Sequence, residues 1–355
     1  MTNRNLQIDI ARGIGIILVV LGHAAFPYTH FIYLFHLAIF FIMAGYFFKD
    51  EYVKDGKSLK KFIINKIKRL YLPFIIGNSI CVLLNNFFID INLYTSLTHK
   101  YFSIKDIAIN ILKILLFKGT SEMLGATWFL QILFLINIFY AIIEYFIKNN
   151  KNKNVIQFAI SIIIFLVGYY LSVKNINIKI IPLQVFTCYI LFDFGRKFKN
   201  IKINYNNQIR IVILILSFIL LIVFNQFGTI EISLNQYTNP LYFICVSIIG
   251  WIFIYESSYY IGKIKFIKNF IQYIGKNTMP ILILHLVIFK FVNFFGIIIL
   301  NMDLNLTGTF PLLFKEGYWW IIYTILGVAI PLLLNILIKL IINKTKKIKG
   351  QNIWN

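Results

Sequence analysis

The chain has 355 residues, of which 59% are hydrophobic and only 14% are charged, and its mean hydropathy is +0.78. Soluble proteins average about 45–50% apolar and about 25% charged residues, so this composition excludes a soluble enzyme, a disordered chain and a small disulfide-bonded domain. The net charge of +22 is typical of a multi-pass membrane protein whose basic loops face an anionic leaflet, so we expect contacts with membrane lipids and none with nucleic acid.

The predicted elements are long apolar segments separated by charged clusters, glycine and proline. About 20 apolar residues suffice for a helix to cross a bilayer. Ten such segments predict an all-α polytopic membrane protein with about ten transmembrane helices in a single domain, residues 1–355. They cover residues 8–26, 31–48, 72–90, 126–147, 155–173, 180–197, 209–227, 241–262, 279–299 and 318–342.

Three shorter stretches, 57–74, 103–117 and 263–275, have apolar residues at helical spacing and polar residues between them. This pattern predicts amphipathic helices that lie along the membrane surface. In the first stretch the interfacial helix should turn into the third membrane segment near Pro73.

Lysine and arginine are distributed unevenly between the two ends of the predicted segments. One set of ends, which we call the basic side, holds 26 of the 35 basic residues, and the opposite side holds 7. Because cytoplasmic loops carry an excess of Lys and Arg, the basic side is expected to be cytoplasmic. Both termini then lie in the cytoplasm, which agrees with an even number of spans.

The first segment contains three ionisable residues, Asp9, Arg12 and His23. Asp or Arg at the centre of a membrane helix costs about 2.5–3.5 kcal/mol on insertion scales. Arg12 and His23 are eleven residues apart, which places them within about 20° on one face and about 16 Å apart along the axis. Asp9 precedes Arg12 by three residues, so their charges can meet. The segment therefore predicts a polar stripe from an ion pair near the basic side to an imidazole deep in the membrane.

Two interpretations of this stripe are open from the residues alone. Asp9 and Arg12 can simply anchor the start of a helix, with His23 bonded to a neighbouring carbonyl. Alternatively, the stripe lines a reaction path, as intramembrane ionisable groups commonly do. Imidazole is well suited to proton transfer or acyl transfer near neutral pH.

Four further histidines occur. His36 begins the second segment and is expected to approach His23 across a short turn, while His285 lies in the ninth segment. His30 and His99 fall in predicted loops, where a solvated role is expected. The spacing of these residues matches no metal-binding pattern, so no metal site is predicted.

Several motifs resemble those of one protein family. They are D-x-x-R-G-I-x-I-x-L-V-V-x-G-H at 9–23, F-H-x-x-x-F-F-x-x-x-G-Y-F-F at 35–48, F-x-x-x-K-x-x-R-L-Y-L-P-F at 62–74, W-F-L at 128–130 and G-K-N-T-M-P-I-x-x-x-H at 275–285. Over residues 7–290 the chain resembles the acyltransferase-3 membrane family, and within it the fucose 4-O-acetylase-like branch. It departs from the family at Ala38, where proline is usual, and at Lys66, where arginine is usual.

The resemblance implies a bacterial inner-membrane enzyme with about ten helices that moves acetyl from acetyl-CoA to hydroxyls of cell-envelope glycans or their lipid-linked precursors. It implies that Arg12 and His23 are required for activity and that Arg69 is the second arginine of an R-x-x-R pair. Some members carry an additional soluble esterase-like domain, and none is expected here.

The two lines of reasoning suggest one mechanism. Lys66, Lys68 and Arg69 are expected to bind the phosphates of coenzyme A at the basic side. His23 then acts as a general base on the acceptor hydroxyl or accepts the acetyl group itself.

Other residues are expected in supporting roles. Asp9 is expected to orient Arg12, whereas His36, Trp128 and His285 are candidates for the acceptor path, with packing an equally good interpretation.

Two other functional classes compete with this one. A polysaccharide or lipid-linked sugar flippase also has many spans and a buried polar stripe, but transporters commonly show inverted repeats and broken helices, which this sequence lacks. A non-catalytic scaffold would have no need for the ionisable stripe.

Overall fold

A computed structural model describes residues 5–176, 178, 181–201 and 205–348, with side chains as far as residue 344. Helices account for 75% of the structure, and the chain is an all-α polytopic membrane protein, as predicted. The helices are α1 (Leu6–His23), α2 (Thr29–Tyr33), α3 (Ala38–Tyr46), α4 (Gly56–Lys66), α5 (Leu72–Leu83), α6 (Asn85–Asp90), α7 (Ile104–Leu115), α8 (Trp128–Ile147), α9 (Lys153–Val173), α10 (Leu183–Phe198), α11 (Asn207–Phe224), α12 (Pro240–Ile261), α13 (Lys265–Lys276), α14 (Thr278–Ile299) and α15 (Trp319–Ile348).

Eight helical segments in the described part of the chain are long and apolar enough to cross a membrane. They are Leu6–His23, Thr29–Tyr46, Glu122–Ile147, Lys153–Val173, Asn207–Phe224, Pro240–Ile261, Thr278–Ile299 and Trp319–Lys344. The two other predicted spans correspond to shorter helices. Segment 72–90 is divided at Leu84 into α5 and α6. Segment 180–197 corresponds to the 16-residue helix α10, and residue 180, where the predicted segment begins, lies outside the described residues.

The three predicted amphipathic stretches are helices α4, α7 and α13. The side chain of Asp55 caps the start of α4 by accepting from the Ser58 N–H at 2.7 Å. A π-helical turn, Ile67–Tyr71, then joins α4 to α5. The loops contribute three short 3₁₀ segments, Asp50–Tyr52, Glu122–Thr127 and Leu304–Gly308, and one small antiparallel pair, β1 (Ile230–Glu231) and β2 (Gln236–Tyr237).

Helix α1 lies inside the bundle, where it packs against α12, α13, α14 and α15. Glycines permit its close approach to α13: a Cβ at Gly275 would lie 1.9 Å from the Asp9 carbonyl oxygen, and one at Gly13 would lie 2.2 Å from the Ile271 carbonyl oxygen. Helix α13 is therefore more than a surface helix. It supports the part of α1 that carries Asp9 and Arg12.

Candidate active site

A cavity of about 980 Å³ extends from the basic-side segment 49–69 into the bundle. Its walls come from α1, α3, α4, α8 and the start of α14, together with the π-helical turn. This volume is near the upper end of the roughly 300–1,000 Å³ found for small-molecule and cofactor sites.

The part of the cavity near the basic side is strongly cationic. Two carboxylates, Asp9 and Glu51, also line it. The six cationic lining residues are Arg12, Lys49, Lys54, Lys61, Lys66 and Arg69. Such a surface favours an anionic ligand.

Of the residues predicted to bind phosphate, Lys66 and Arg69 line this cavity, whereas Lys68 is exposed and lies outside its lining. Lys66 is half-buried, and desolvation, with a smaller contribution from the neighbouring charge of Arg69, lowers its pKa to about 8.

Lys49, Lys54 and Lys61 were missed from the sequence. Helical spacing does not distinguish Lys61 from Lys68, because at about 100° per residue Lys61 is turned by about 80° from Arg69 and Lys68 by about 100°. Lys49 and Lys54 lie outside the helices, where periodicity gives no guidance.

The predicted Asp9–Arg12 contact is present. Arg12 Nη1 lies 4.0 Å from Asp9 Oδ1, and the guanidinium sits 5.1 Å from the centre of the Phe47 ring. Asp9 is almost completely buried, where the tight contact between α1 and α13 holds its backbone. Both side chains line the cavity, so the geometry suits Asp9 for orienting Arg12 towards a ligand.

Three histidines lie near one another beyond the inner end of the cavity. The rings of His23 and His285 have their centres 5.4 Å apart. His36 lies against Gly22, since a Cβ at that glycine would be 3.9 Å from His36 Nε2, and its ring stacks on Tyr33 at 4.8 Å. The structure therefore brings together the imidazoles of three separate helical regions. The sequence predicted the approach of His36 to His23, but it did not predict that His285 lies beside His23.

The hydrogen bonds of His36 and His285 fix which ring nitrogen carries a proton. His285 Nδ1 contacts the Ile281 carbonyl at 2.9 Å, and His36 Nδ1 contacts the Ile32 carbonyl at 3.1 Å. Because a carbonyl oxygen only accepts, each Nδ1 must be the donor, and the neutral ring keeps a lone pair on Nε2. In His285 this Nε2 is buried and finds no hydrogen-bond partner among the described residues.

The cavity follows the predicted stripe along α1. Arg12, Ile16 and Val19 line it, and His23 is the next residue on that face, about 6 Å further along the axis. On α14, Leu282 lines the cavity and His285 follows one turn later. The cavity therefore ends about one helical turn short of the His23 and His285 rings.

The structure places Trp128 differently from these residues. It is the first residue of α8, is half-buried and packs edge-on against Phe129 at 6.3 Å, outside the cavity lining. The same helix instead contributes Phe129, Leu130, Leu133 and Asn137 to the wall.

The two histidines that the sequence placed in loops have specific partners, and the structure places His30 in the short helix α2 instead. His30 Nδ1 lies 2.7 Å from Asn225 Oδ1. His99 lies 3.0 Å from a Glu122 carboxylate oxygen and stacks on Tyr94 at 3.8 Å. Across the described ranges, no group of three His, Cys, Asp or Glu residues is arranged to hold a metal ion.

Helices and cavity together define a multi-pass membrane protein with a cationic chamber that leads towards a histidine pair. A sequence model of the acyltransferase-3 family, described as an acyltransferase domain, matches residues 5–336, nearly the whole chain. The chain belongs to this family and is a membrane acyltransferase. Comparisons with curated proteins and with solved structures find no match.

Proposed function

We propose that this acyltransferase moves an acetyl group from acetyl-CoA to a hydroxyl of a cell-envelope glycan or its lipid-linked precursor. The observation that carries the proposal is the cationic cavity aligned with the α1 stripe that leads to His23 and His285. The protein would lie in the bacterial inner membrane with its basic side and both termini in the cytoplasm, where acetyl-CoA is available. The sequence motifs favour a member of the fucose 4-O-acetylase-like branch.

The distribution of charge along the cavity supports coenzyme A as the carrier. Its phosphates would meet Lys61, Lys66 and Arg69 near the basic side, and guanidinium is particularly suited to bind phosphate through two parallel hydrogen bonds. The acyl-bearing arm would extend past Arg12 into the apolar inner part, between Val19 and Leu282. This arrangement directs the thioester towards His23.

The reaction would then proceed by general base catalysis. His23 takes the proton of the acceptor hydroxyl, and the oxygen forms a bond to the acetyl carbonyl carbon. The carbon–sulfur bond breaks, and the imidazolium returns the proton to the departing thiolate of coenzyme A. His285 has its ring 5.4 Å away, and its Nε2 has no hydrogen-bond partner in the part of the chain that the structure describes. It would stabilise the charged form of His23 or fix its orientation.

A two-step route fits the same geometry. In that case a His23 nitrogen attacks the thioester, coenzyme A leaves as the thiol, and the acetyl-imidazole is attacked by the acceptor hydroxyl. Rapid mixing with labelled acetyl-CoA and no acceptor, followed by mass spectrometry of the peptide containing His23, separates the routes, because acetylated peptide forms in the second alone.

The test of the proposed function is acetylation by the purified full-length protein in lipid vesicles. Replacement His23→Ala should lower kcat by about 10²–10⁴-fold, the usual contribution of a general acid–base group. His30→Ala is the matched control, because that ring bonds Asn225 away from the cavity. Unchanged acetyl transfer in His23→Ala, or glycan export without acetylation in the parent protein, would overturn the proposal.

A further inference from the structure

Asn137 is a buried polar side chain on an otherwise apolar wall of the cavity. Of the α8 residues that line the cavity, Phe129, Leu130 and Leu133 are apolar and Asn137 carries an amide. Asn137 is only 1% exposed, so bulk water does not solvate it. Buried polar atoms normally have hydrogen-bond partners, and any exception requires an explanation.

The nitrogen of the Asn137 side-chain amide has a hydrogen-bond partner within its own helix. Its Nδ2 donates to the Leu133 carbonyl at 2.7 Å. Because a carbonyl only accepts, the nitrogen must be the end of the amide that faces Leu133, and the oxygen is the other end. This Oδ1 is buried and receives no hydrogen bond from the described residues.

Asn78 on α5 shows how a structural asparagine in the same bundle differs. Its Nδ2 donates to the Phe74 carbonyl, four residues earlier, at 2.9 Å, just as that of Asn137 donates to Leu133. Its Oδ1, however, accepts from the backbone N–H of Ser121 at 2.7 Å. In both asparagines the side-chain nitrogen donates to a carbonyl four residues earlier in the helix, but the Asn137 oxygen has no hydrogen-bond donor among the described residues.

We infer that Asn137 is a positioning residue that accepts a hydrogen bond from an amide N–H of the pantetheine arm of the acyl donor, an inference that rests on the proposed function. The atom without a partner is an acceptor, so its ligand must be an N–H or O–H donor and not a phosphate. Between the phosphates and the thioester, the arm carries secondary amides. A neutral amide also suits the apolar side chains that flank Asn137 better than a charged group does.

The experiment compares two acetyl thioesters with the full-length protein in vesicles. S-acetylpantetheine retains the amides and lacks the nucleotide, whereas S-acetyl-2-mercaptoethanol has no amide. Replacement Asn137→Leu should lower kcat/KM for the first donor about tenfold, through KM, and leave the second within about twofold. Asn137→Ala removes the same acceptor without adding bulk and should give the same selective loss if the leucine variant does not fold.

The structural control is Asn78→Leu, which removes bonds of the same kind outside the cavity lining. It should lower the thermal unfolding midpoint and leave the ratio of the two donors unchanged. Equal loss on both thioesters in the Asn137 variants, or no loss on either, would overturn the role of Asn137. Failure of the unaltered protein to transfer acetyl from acetyl-CoA itself would instead overturn the proposed function.

Discussion

Lysine and arginine side chains have different surroundings in the basic-side cavity and on the opposite side of the bundle. In the cavity, six cationic side chains share an open volume with two carboxylates. On the opposite side, Lys290 of α14 is 1% exposed and is surrounded by protein: it donates to the Thr307 carbonyl, lies 4.0 Å from Glu122, and faces the Tyr94 ring at 5.2 Å. The first arrangement leaves charge available to a ligand, and the second encloses it.

An ionisable residue in a membrane helix is therefore not by itself evidence of a functional site. Lys290 and Arg12 are both cations within spans, and their sequence surroundings are similarly apolar. Their spatial neighbours distinguish them, since Arg12 borders a cavity and Lys290 is held by a loop carbonyl and aromatic rings. We therefore propose that Arg12 contributes to ligand binding and that Lys290 contributes to the stability of the fold.

The first prediction from this comparison concerns the enclosed lysine. Lys290→Met should lower the free energy of unfolding by about 1–3 kcal/mol, because the buried Thr307 carbonyl loses its donor. Thermal unfolding in detergent measures this change, and Lys105→Met, at an exposed lysine, is the control. A normal unfolding midpoint combined with a loss of acetyl transfer would contradict the comparison and make Lys290 a functional residue.

The second prediction concerns the cationic side chains that line the cavity. Arg69→Ala should raise KM for acetyl-CoA about tenfold, which corresponds to about 1.4 kcal/mol, and should not affect S-acetylpantetheine, which lacks the nucleotide phosphates. Lys68→Ala is the matched neighbour, because Lys68 lies outside the cavity lining and should change KM less than twofold. If both variants weaken acetyl-CoA binding equally, the sequence prediction for Lys68 is right, and the mouth of the cavity is wider than its present lining.

Local sequence patterns predict much of this fold because each pattern belongs to one helix. Apolar length predicts eight of the helical segments that are long enough to cross a membrane, and amphipathic spacing predicts α4, α7 and α13. The alignment of Arg12 with His23 is likewise a property of one helix and follows from its 3.6-residue period.

Contacts between distant segments have no such local signal. The proximity of His285 to His23 depends on which helix packs against α1, and the sequence between them does not specify that choice. The same holds for α13, which was predicted to lie along the membrane surface and in fact packs against the backbone of Asp9. It also holds for Asn137, because an acceptor without a hydrogen-bond donor among the described residues can be recognised only when its neighbours in space are known.

The last prediction is a modest dependence of donor binding on pH. Lys66 is cationic below its pKa of about 8 and neutral above it, so the cavity loses one positive charge between about pH 7 and pH 9. A charge near the surface contributes up to about 1 kcal/mol, so KM for acetyl-CoA should rise by a few-fold over this range.

Lys66→Arg sharpens this last test, because arginine stays protonated throughout the range and restores the first arginine of the R-x-x-R pair. KM in this variant should remain flat between pH 7 and pH 9, whereas kcat should follow the same pH profile in both proteins. Acetylpantetheine, which has no nucleotide phosphates, should show no such rise with either protein. An identical rise of KM in Lys66→Arg would mean that another group titrates and that Lys66 does not contact the donor. A KM for acetyl-CoA that is independent of pH in Lys66→Arg but rises in the unaltered protein would identify Lys66, in the cavity, as the titrating group.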